Sequence, residues 1–236
     1  MDIRNACQYD DDRCLNEEQV VFTYRKYDVE LVRELDPAML GWPDPGDAVN
    51  ESGLGSNRAY VDLRNLSWGD AKRVLALEGE LIARIEQAED TDAECETIDD
   101  ELYESDQDLF GLDLGVASTV ASLSAASCVP FSSCNAAAFG GDHHESFPLV
   151  VFFAKAPMVD LLLAAATEAD IGLATGVMGS VLAYSDDIRK FRAFAQRLIS
   201  SSGSFRAVLK GTGGRRKREP RSDRPKVLEQ YQLPLT

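Results

Sequence analysis

Residues 149–154 read LVVFFA, and this run is the strongest strand signal in the chain. Six consecutive apolar residues predict a strand that is covered on both faces and therefore lies inside a sheet. Pro157 follows where a helix would place its first turn, and the alanine- and leucine-rich residues 158–168 predict that helix. Together the two segments predict a buried strand with a helix packed on its sheet.

The residues before this strand and helix predict another helix followed by a strand. Residues 113–127 predict a helix that begins at an acidic cap, Asp113, and whose small alanine and serine side chains allow close packing on a sheet. Residues 128–134, CVPFSSC, predict a short strand. Because Pro130 has no N–H to donate to a ladder, we expect this strand at the edge or start of the sheet.

The residues after the pair complete the predicted domain. Residues 171–185 alternate small and apolar side chains and predict one bent strand or a hairpin, and residues 188–198 place their apolar side chains on one helical face. Residues 204–210 predict a strand that closes the sheet. The expected fold class over residues 110–210 is therefore α/β (α+β), a two-layer sandwich with a small mixed sheet and packed helices.

Residues 1–88 are predicted to form a partly helical, loop-rich N-terminal region. VVFTY at residues 20–24 predicts a strand, whereas residues 29–35 are compatible with helix or strand. The proline- and glycine-rich residues 36–57 predict a long loop. Residues 67–88 predict an amphipathic helix that begins with a Ser-x-x-Asp capping box.

Charge is strongly segregated along the chain, whose net charge is −16. Residues 86–108 contain twelve Asp or Glu and no Lys or Arg, so we expect residues 89–109 to form a solvated acidic linker. Residues 210–226 hold eight Lys or Arg and two acidic residues, and residues 211–236 predict a basic, flexible tail. The partner-binding residues expected in this tail are Arg215, Arg216, Lys217 and Arg218.

Composition limits the partners and the compartment. An acidic body repels phosphates, so we expect nucleic-acid contact only through the basic tail. No apolar run approaches the roughly 20 residues that span a bilayer, so no membrane partner is expected. Five scattered cysteines do not form the pattern of a disulfide scaffold, which favours a reducing compartment and a cytoplasmic protein.

The loop after residue 133 concentrates chemically capable side chains, including both histidines of the chain. Cys134 is a candidate nucleophile, and His143 or His144 is the candidate base that would activate it. Asn135 or Asp142 would orient the imidazole ring. These residues define a candidate catalytic site of thiol-dependent type.

Two other interpretations of the same loop stay open. Cys128 and Cys134 with the two histidines have the ligand chemistry of a zinc site, but the usual Cys-x-x-Cys spacing is missing and adjacent histidines point in different directions. We therefore assign no metal, and the sequence identifies no cofactor. Alternatively, both thiols are buried apolar groups and the histidine pair lies on an exposed turn.

FSSC at residues 131–134 ends one predicted strand, and residues 149–153 form the next strand before a helix. In this arrangement residues 131–154 resemble one stretch of the wybutosine-synthesis tRNA methyltransferases. The resemblance implies an α/β protein that binds tRNA and S-adenosylmethionine. This chain has Asn135 and Ala136 where that family continues Ser-Gly-Arg, so we do not assign the chain to the family.

The function that these features favour is that of a cytoplasmic interaction or regulatory protein, for example a subunit of a nucleic-acid-processing assembly. Such a protein would contact a protein partner through its acidic surface and its basic tail. The alternative is a thiol-dependent or metal-assisted hydrolase or transferase that works at the Cys-His loop.

Overall fold

The computed structural model describes residues 22–43, 63, 66–105, 109–141 and 145–212. The strands are β1 (Arg33–Glu34), β2 (Val129–Cys134), β3 (Leu149–Phe153), β4 (Gly172–Thr175) and β5 (Val181–Tyr184). The α-helices are α1 (Trp68–Gln87), α2 (Thr91–Ser105), α3 (Ala117–Ala125), α4 (Val159–Ala169), α5 (Arg189–Ser200) and α6 (Ser202–Thr212). None of the helices in these ranges is long and apolar enough to cross a membrane.

The five strands form one mixed sheet in the order β1-β4-β5-β3-β2. β1 pairs with β4 in parallel, and the other three pairings are antiparallel. This architecture confirms the predicted α/β fold with a mixed sheet. It also confirms β2 as an edge strand, in which the ladder shifts register between Pro130 and Ser132 as expected for a proline within a strand.

β3 has a partner strand on each side, and its apolar run serves both faces of the sheet. Val150 and Phe152 belong to the main core, against the helices. Leu149 and Val151 point to the opposite face, where residues 29–31 pack on them. The continuous apolar pattern thus reflects a strand that is covered on both sides.

α1 confirms the predicted N-terminal helix and its capping box. The Ser67 hydroxyl accepts a hydrogen bond from the Asp70 N–H, and the Asp70 carboxylate accepts one from the Ser67 N–H. Its apolar face, which includes Val74 and Ile85, lies in the same buried cluster as the sheet. Elements on both sides of the predicted linker at 89–109 therefore share one core.

The prediction of a solvated linker at residues 89–109 is wrong, because Thr91–Ser105 form α2. Cys95 and Ile98 on one face of α2 are buried in the main core. Arg84 of α1 binds Glu94 and Glu101 across the same contact. An apolar stripe and one arginine therefore allow the acidic segment to fold against α1.

The prediction of a closing strand at residues 204–210 is also wrong, since these residues lie in α6. Phe205 of α6 is buried and its ring centroid lies 6.0 Å from that of Trp68 at the start of α1. Residues 22–24 pair with no strand of the described sheet, which contradicts a strand at 20–24 over the residues described. Residues 171–185, by contrast, form the predicted hairpin, β4 and β5.

Candidate functional site

The structure describes only part of the predicted Cys-His site. Cys134 ends β2 and is buried, with a relative exposure of 8%. The other predicted site residues lie outside the described residues: Asp142, His143, His144, Arg215, Arg216, Lys217 and Arg218. The described residues therefore bring Cys134 together with Asn135 and the turn that follows.

The surroundings of Cys134 do not favour a thiolate. Its sulfur accepts a hydrogen bond from the Ala136 N–H at 3.3 Å. Burial raises the pKa of the Cys134 thiol, and the nearby carboxylates of Asp113 and Glu145 raise it further despite that hydrogen bond. A nucleophilic cysteine needs a lowered pKa. The described part of the site thus gives the thiol-dependent interpretation no electrostatic support.

Asn135 holds the turn after β2 in place. It is buried, its side-chain amide donates to the Leu114 carbonyl at 3.1 Å, and its side-chain oxygen accepts from the Ala137 N–H at 3.0 Å. Ala136 and Ala137 both have positive φ values, 53° and 58°. Backbone strain of this kind persists only where surrounding contacts fix it, and here Asn135 supplies those contacts.

The N-terminal segment 22–27 packs against this turn. The Tyr27 hydroxyl donates to the Ala136 carbonyl at 2.9 Å, and the Phe22 ring stacks on Phe139 with centroids 6.0 Å apart. The turn is thus covered by a distant part of the chain. The turn therefore lies between segment 22–27 and the core.

Asp187 anchors the same segment to the start of α5. Its buried carboxylate accepts from Lys26 at 2.7 Å and from the Arg189 guanidinium at 2.6 Å. Burial alone would raise the pKa of Asp187, but the hydrogen bonds from Arg189 and Lys26 hold it at about 2. The carboxylate therefore stays ionised and paired at neutral pH.

Cys128 immediately precedes β2 and is also buried. Burial raises the pKa of its thiol to about 12. Across the described ranges, no three His, Cys, Asp or Glu side chains are grouped so that they could hold a metal ion. Cys95, Cys128 and Cys134 are buried thiols rather than disulfides.

A second feature, which the sequence analysis missed, is an exposed apolar patch. Its members are Met39 and Trp42 in the segment after β1, and Val177 and Met178 at the tip of the β4–β5 hairpin, with relative exposures of 64%, 45%, 78% and 80%. We call residues 39–42 and 176–180 the tip patch. The available signal was the pair Val-Met between two glycines, where a hairpin turn usually carries polar residues.

The two halves of the tip patch are joined through their backbones. The Gly41 N–H donates to the Gly179 carbonyl at 2.9 Å. A Cβ on Gly41 would lie 2.4 Å from the Met178 carbonyl oxygen, so only glycine allows this approach. Met178 itself has a φ of 57°, which is unfavourable for a side chain of its size. The fold therefore fixes the backbone that carries these exposed side chains.

Comparison with known proteins found no relative: no family model, curated protein or solved structure matches the chain.

Proposed function

We propose that the chain is a cytoplasmic interaction or regulatory protein, and that it docks on a protein partner through the tip patch. The observation that carries the proposal is the exposure of Val177 and Met178 on a hairpin tip that is pinned to residues 39–42. Contiguous exposed apolar surface on a soluble protein marks an interaction site.

The geometry of the tip patch suits a partner with an apolar pocket. Met178 is a flexible, polarisable side chain of the kind that adapts to a protein groove. Its strained backbone presents it outward rather than folding it into the core. At the rim, the Lys155 ammonium lies 4.9 Å from the centroid of the Trp42 ring, which offers one cation to an acidic group on the partner.

Charged surfaces are proposed to extend this contact. α2 buries Cys95 and Ile98 but leaves its carboxylates Asp92, Glu96 and Asp100 exposed, so the acidic segment forms an ordered negative helix face. The basic residues 215–218 are proposed as a second arm, for an acidic partner or for nucleic acid in a processing assembly. The buried thiols Cys95, Cys128 and Cys134 agree with a reducing compartment.

The test of the tip patch is site-specific photo-crosslinking in the native host. A photo-crosslinking amino acid at position 178 should capture one predominant protein, and the Val177→Ser change should reduce the yield several-fold. Thr167 on α4 is the matched control, because it is exposed and lies outside both the tip patch and the charged surfaces proposed to extend the contact. Equal capture from positions 178 and 167 would refute the proposal.

The tail is tested separately. Changing residues 215–218 to alanine should weaken the same complex in a salt-dependent way, because each lost cation removes a screened electrostatic contact. Capture at position 178 that depends on neither the tail nor salt would assign the whole interface to the tip patch. If the crosslinked product is a dimer of this chain, and sedimentation equilibrium shows the same dimer, the partner is a second copy of this chain.

A further inference from the structure

A cavity of about 280 Å³ lies between α1 and α5, apart from the tip patch. α1 contributes Gly79 and Ile82, and α5 contributes Arg192 and Gln196. The turn after β2 contributes Phe139. The cavity is therefore lined by elements from both ends of the described chain, with apolar walls and a few polar groups, as small-molecule sites usually are.

The polar group that stands out is the Arg192 guanidinium. Its Nε atom is buried and has no hydrogen-bond partner among the described residues. A buried N–H without an acceptor costs about 1–3 kcal/mol, so such a group calls for an acceptor that the described residues do not supply.

The carboxylates around the cavity are already engaged. Glu78 is fully buried and accepts from the Gly115 N–H at 3.0 Å, from the Ser118 N–H at 3.3 Å and from the Ser118 hydroxyl. Glu86 accepts from the Tyr24 hydroxyl at 2.7 Å. Neither carboxylate is hydrogen-bonded to Arg192, although the Arg192 charge does act on Glu78 through space.

The cation of Arg189 at the rim is engaged in the same way. It binds the Asp187 carboxylate and stacks over the Tyr24 ring, with its guanidinium carbon 4.5 Å from the ring centroid. Among the described cations that line the cavity, Arg192 is thus the one with an unpartnered donor, its Nε–H.

The position of Arg192 is set by Gly79. A Cβ at Gly79 would lie 2.2 Å from one terminal nitrogen of the guanidinium and 2.7 Å from its central carbon. Glycine inside a helix costs about 1 kcal/mol relative to alanine, so α1 gives up helix stability at this point and gains room for the guanidinium. The guanidinium is therefore held in the cavity rather than extended into solvent.

We infer that this cavity binds a small organic anion, with its carboxylate or phosphate on Arg192 and its apolar body between Phe139 and Ile82. Arginine offers paired N–H donors that match an oxyanion. The volume admits a ligand of about one ring, and the aromatic and aliphatic walls favour a flat apolar body over a free inorganic ion.

The test is an NMR titration of the 15N-labelled full chain, with the Gly79 and Gly115 amides as reporters. The probes are benzoate, phenyl phosphate, inorganic phosphate and the neutral benzyl alcohol. At least one aromatic anion should shift both amides saturably, and benzyl alcohol should bind about tenfold more weakly or worse, the loss expected for a charged hydrogen bond. Comparison of benzoate with phenyl phosphate identifies the preferred oxyanion.

The matched variants are Arg192→Gln and Arg197→Gln. Arg197 lies on the same helix but binds Glu168 at the surface, at 3.2 Å. Arg192→Gln should weaken the anion about tenfold, and Arg197→Gln should leave its affinity unchanged. If Arg192→Gln does not fold, the comparison of benzoate with benzyl alcohol on the unaltered chain decides alone. Absence of saturable shifts, or equal affinity for the neutral probe, would overturn the inference.

Discussion

Replacing Asp187 with asparagine should destabilise the protein because it removes the charge that holds segment 22–27 on α5. The carboxylate accepts from Lys26 and from Arg189 at the same time, and its side chain is only 5% exposed. Asparagine keeps the shape of the side chain but removes the carboxylate charge that both cations bind. We therefore expect weaker attachment of the segment and a lower free energy of unfolding.

The pKa of Asp187 gives the magnitude. It lies at about 2, against an ordinary value of 3.8, because the hydrogen bonds from Arg189 and Lys26 outweigh the effect of burial. This difference corresponds to about 2 kcal/mol of stability at neutral pH. Since the folded-state pKa is the lower one, the contribution is complete above the ordinary pKa and is lost as pH falls from about 4 towards 2.

Urea unfolding of the two proteins between pH 7 and pH 3 measures this contribution. The gap between wild type and Asp187→Asn should be about 2 kcal/mol from pH 7 to pH 5 and should narrow below about pH 4. Asp28→Asn is the control, because Asp28 is exposed and directly follows segment 22–27. This substitution should change the free energy of unfolding by less than about 0.5 kcal/mol. A gap that stays constant down to pH 3 would show that the carboxylate charge does not stabilise this attachment.

Three further predictions follow from buried or strained residues. Cys128 and Cys134 should alkylate with iodoacetamide at pH 7.5 far more slowly in the folded chain than in urea, since burial raises both pKa values; rapid labelling of folded Cys134 would restore the thiol-dependent interpretation. Ile98→Ala should cost about 2–4 kcal/mol by urea unfolding, whereas the exposed Thr97→Ala should cost far less; equal effects would mean that α2 does not pack on α1. Met178→Gly should raise stability by about 0.5–1 kcal/mol because it relieves a positive φ, while capture of the partner by a photo-crosslinking amino acid at position 177 falls; a lower melting temperature would contradict the strain.

Local signals predicted the elements whose stability is largely local. Ser67 and Asp70 gave the start of α1, because a capping box needs only residues three apart. Pro130 placed β2 at the sheet edge through its missing N–H. The apolar run of β3 indicated an internal strand. In each case the decisive physical requirement lies within a few residues of the pattern.

The errors arose where distant contacts decide the structure. The acidic residues of α2 repel one another, but Ile98 packs in the core and Arg84 reaches carboxylates ten and seventeen positions away. In residues 204–210 the β-type composition concealed Phe205, Val208 and Leu209, whose i, i+3, i+4 spacing is helical. Trp68, far away in sequence, supplies the surface that this helical face covers. These contacts between distant residues could not be predicted from the local sequence pattern.

The cavity shows most clearly why a candidate site can escape sequence analysis. In the sequence, Gly79 is only a weak point in a helix, and Arg192 is one of several arginines on the polar side of α5. Their meaning depends on each other, because the missing side chain of one makes room for the guanidinium of the other. Gly79→Ala therefore has two opposing effects. Alanine stabilises the helix by about 1 kcal/mol, whereas its methyl group must displace the Arg192 guanidinium. If the guanidinium is needed only for packing, the variant should lose stability alone; if it holds an anion, the affinity for benzoate should fall by at least as large a factor as in Arg192→Gln.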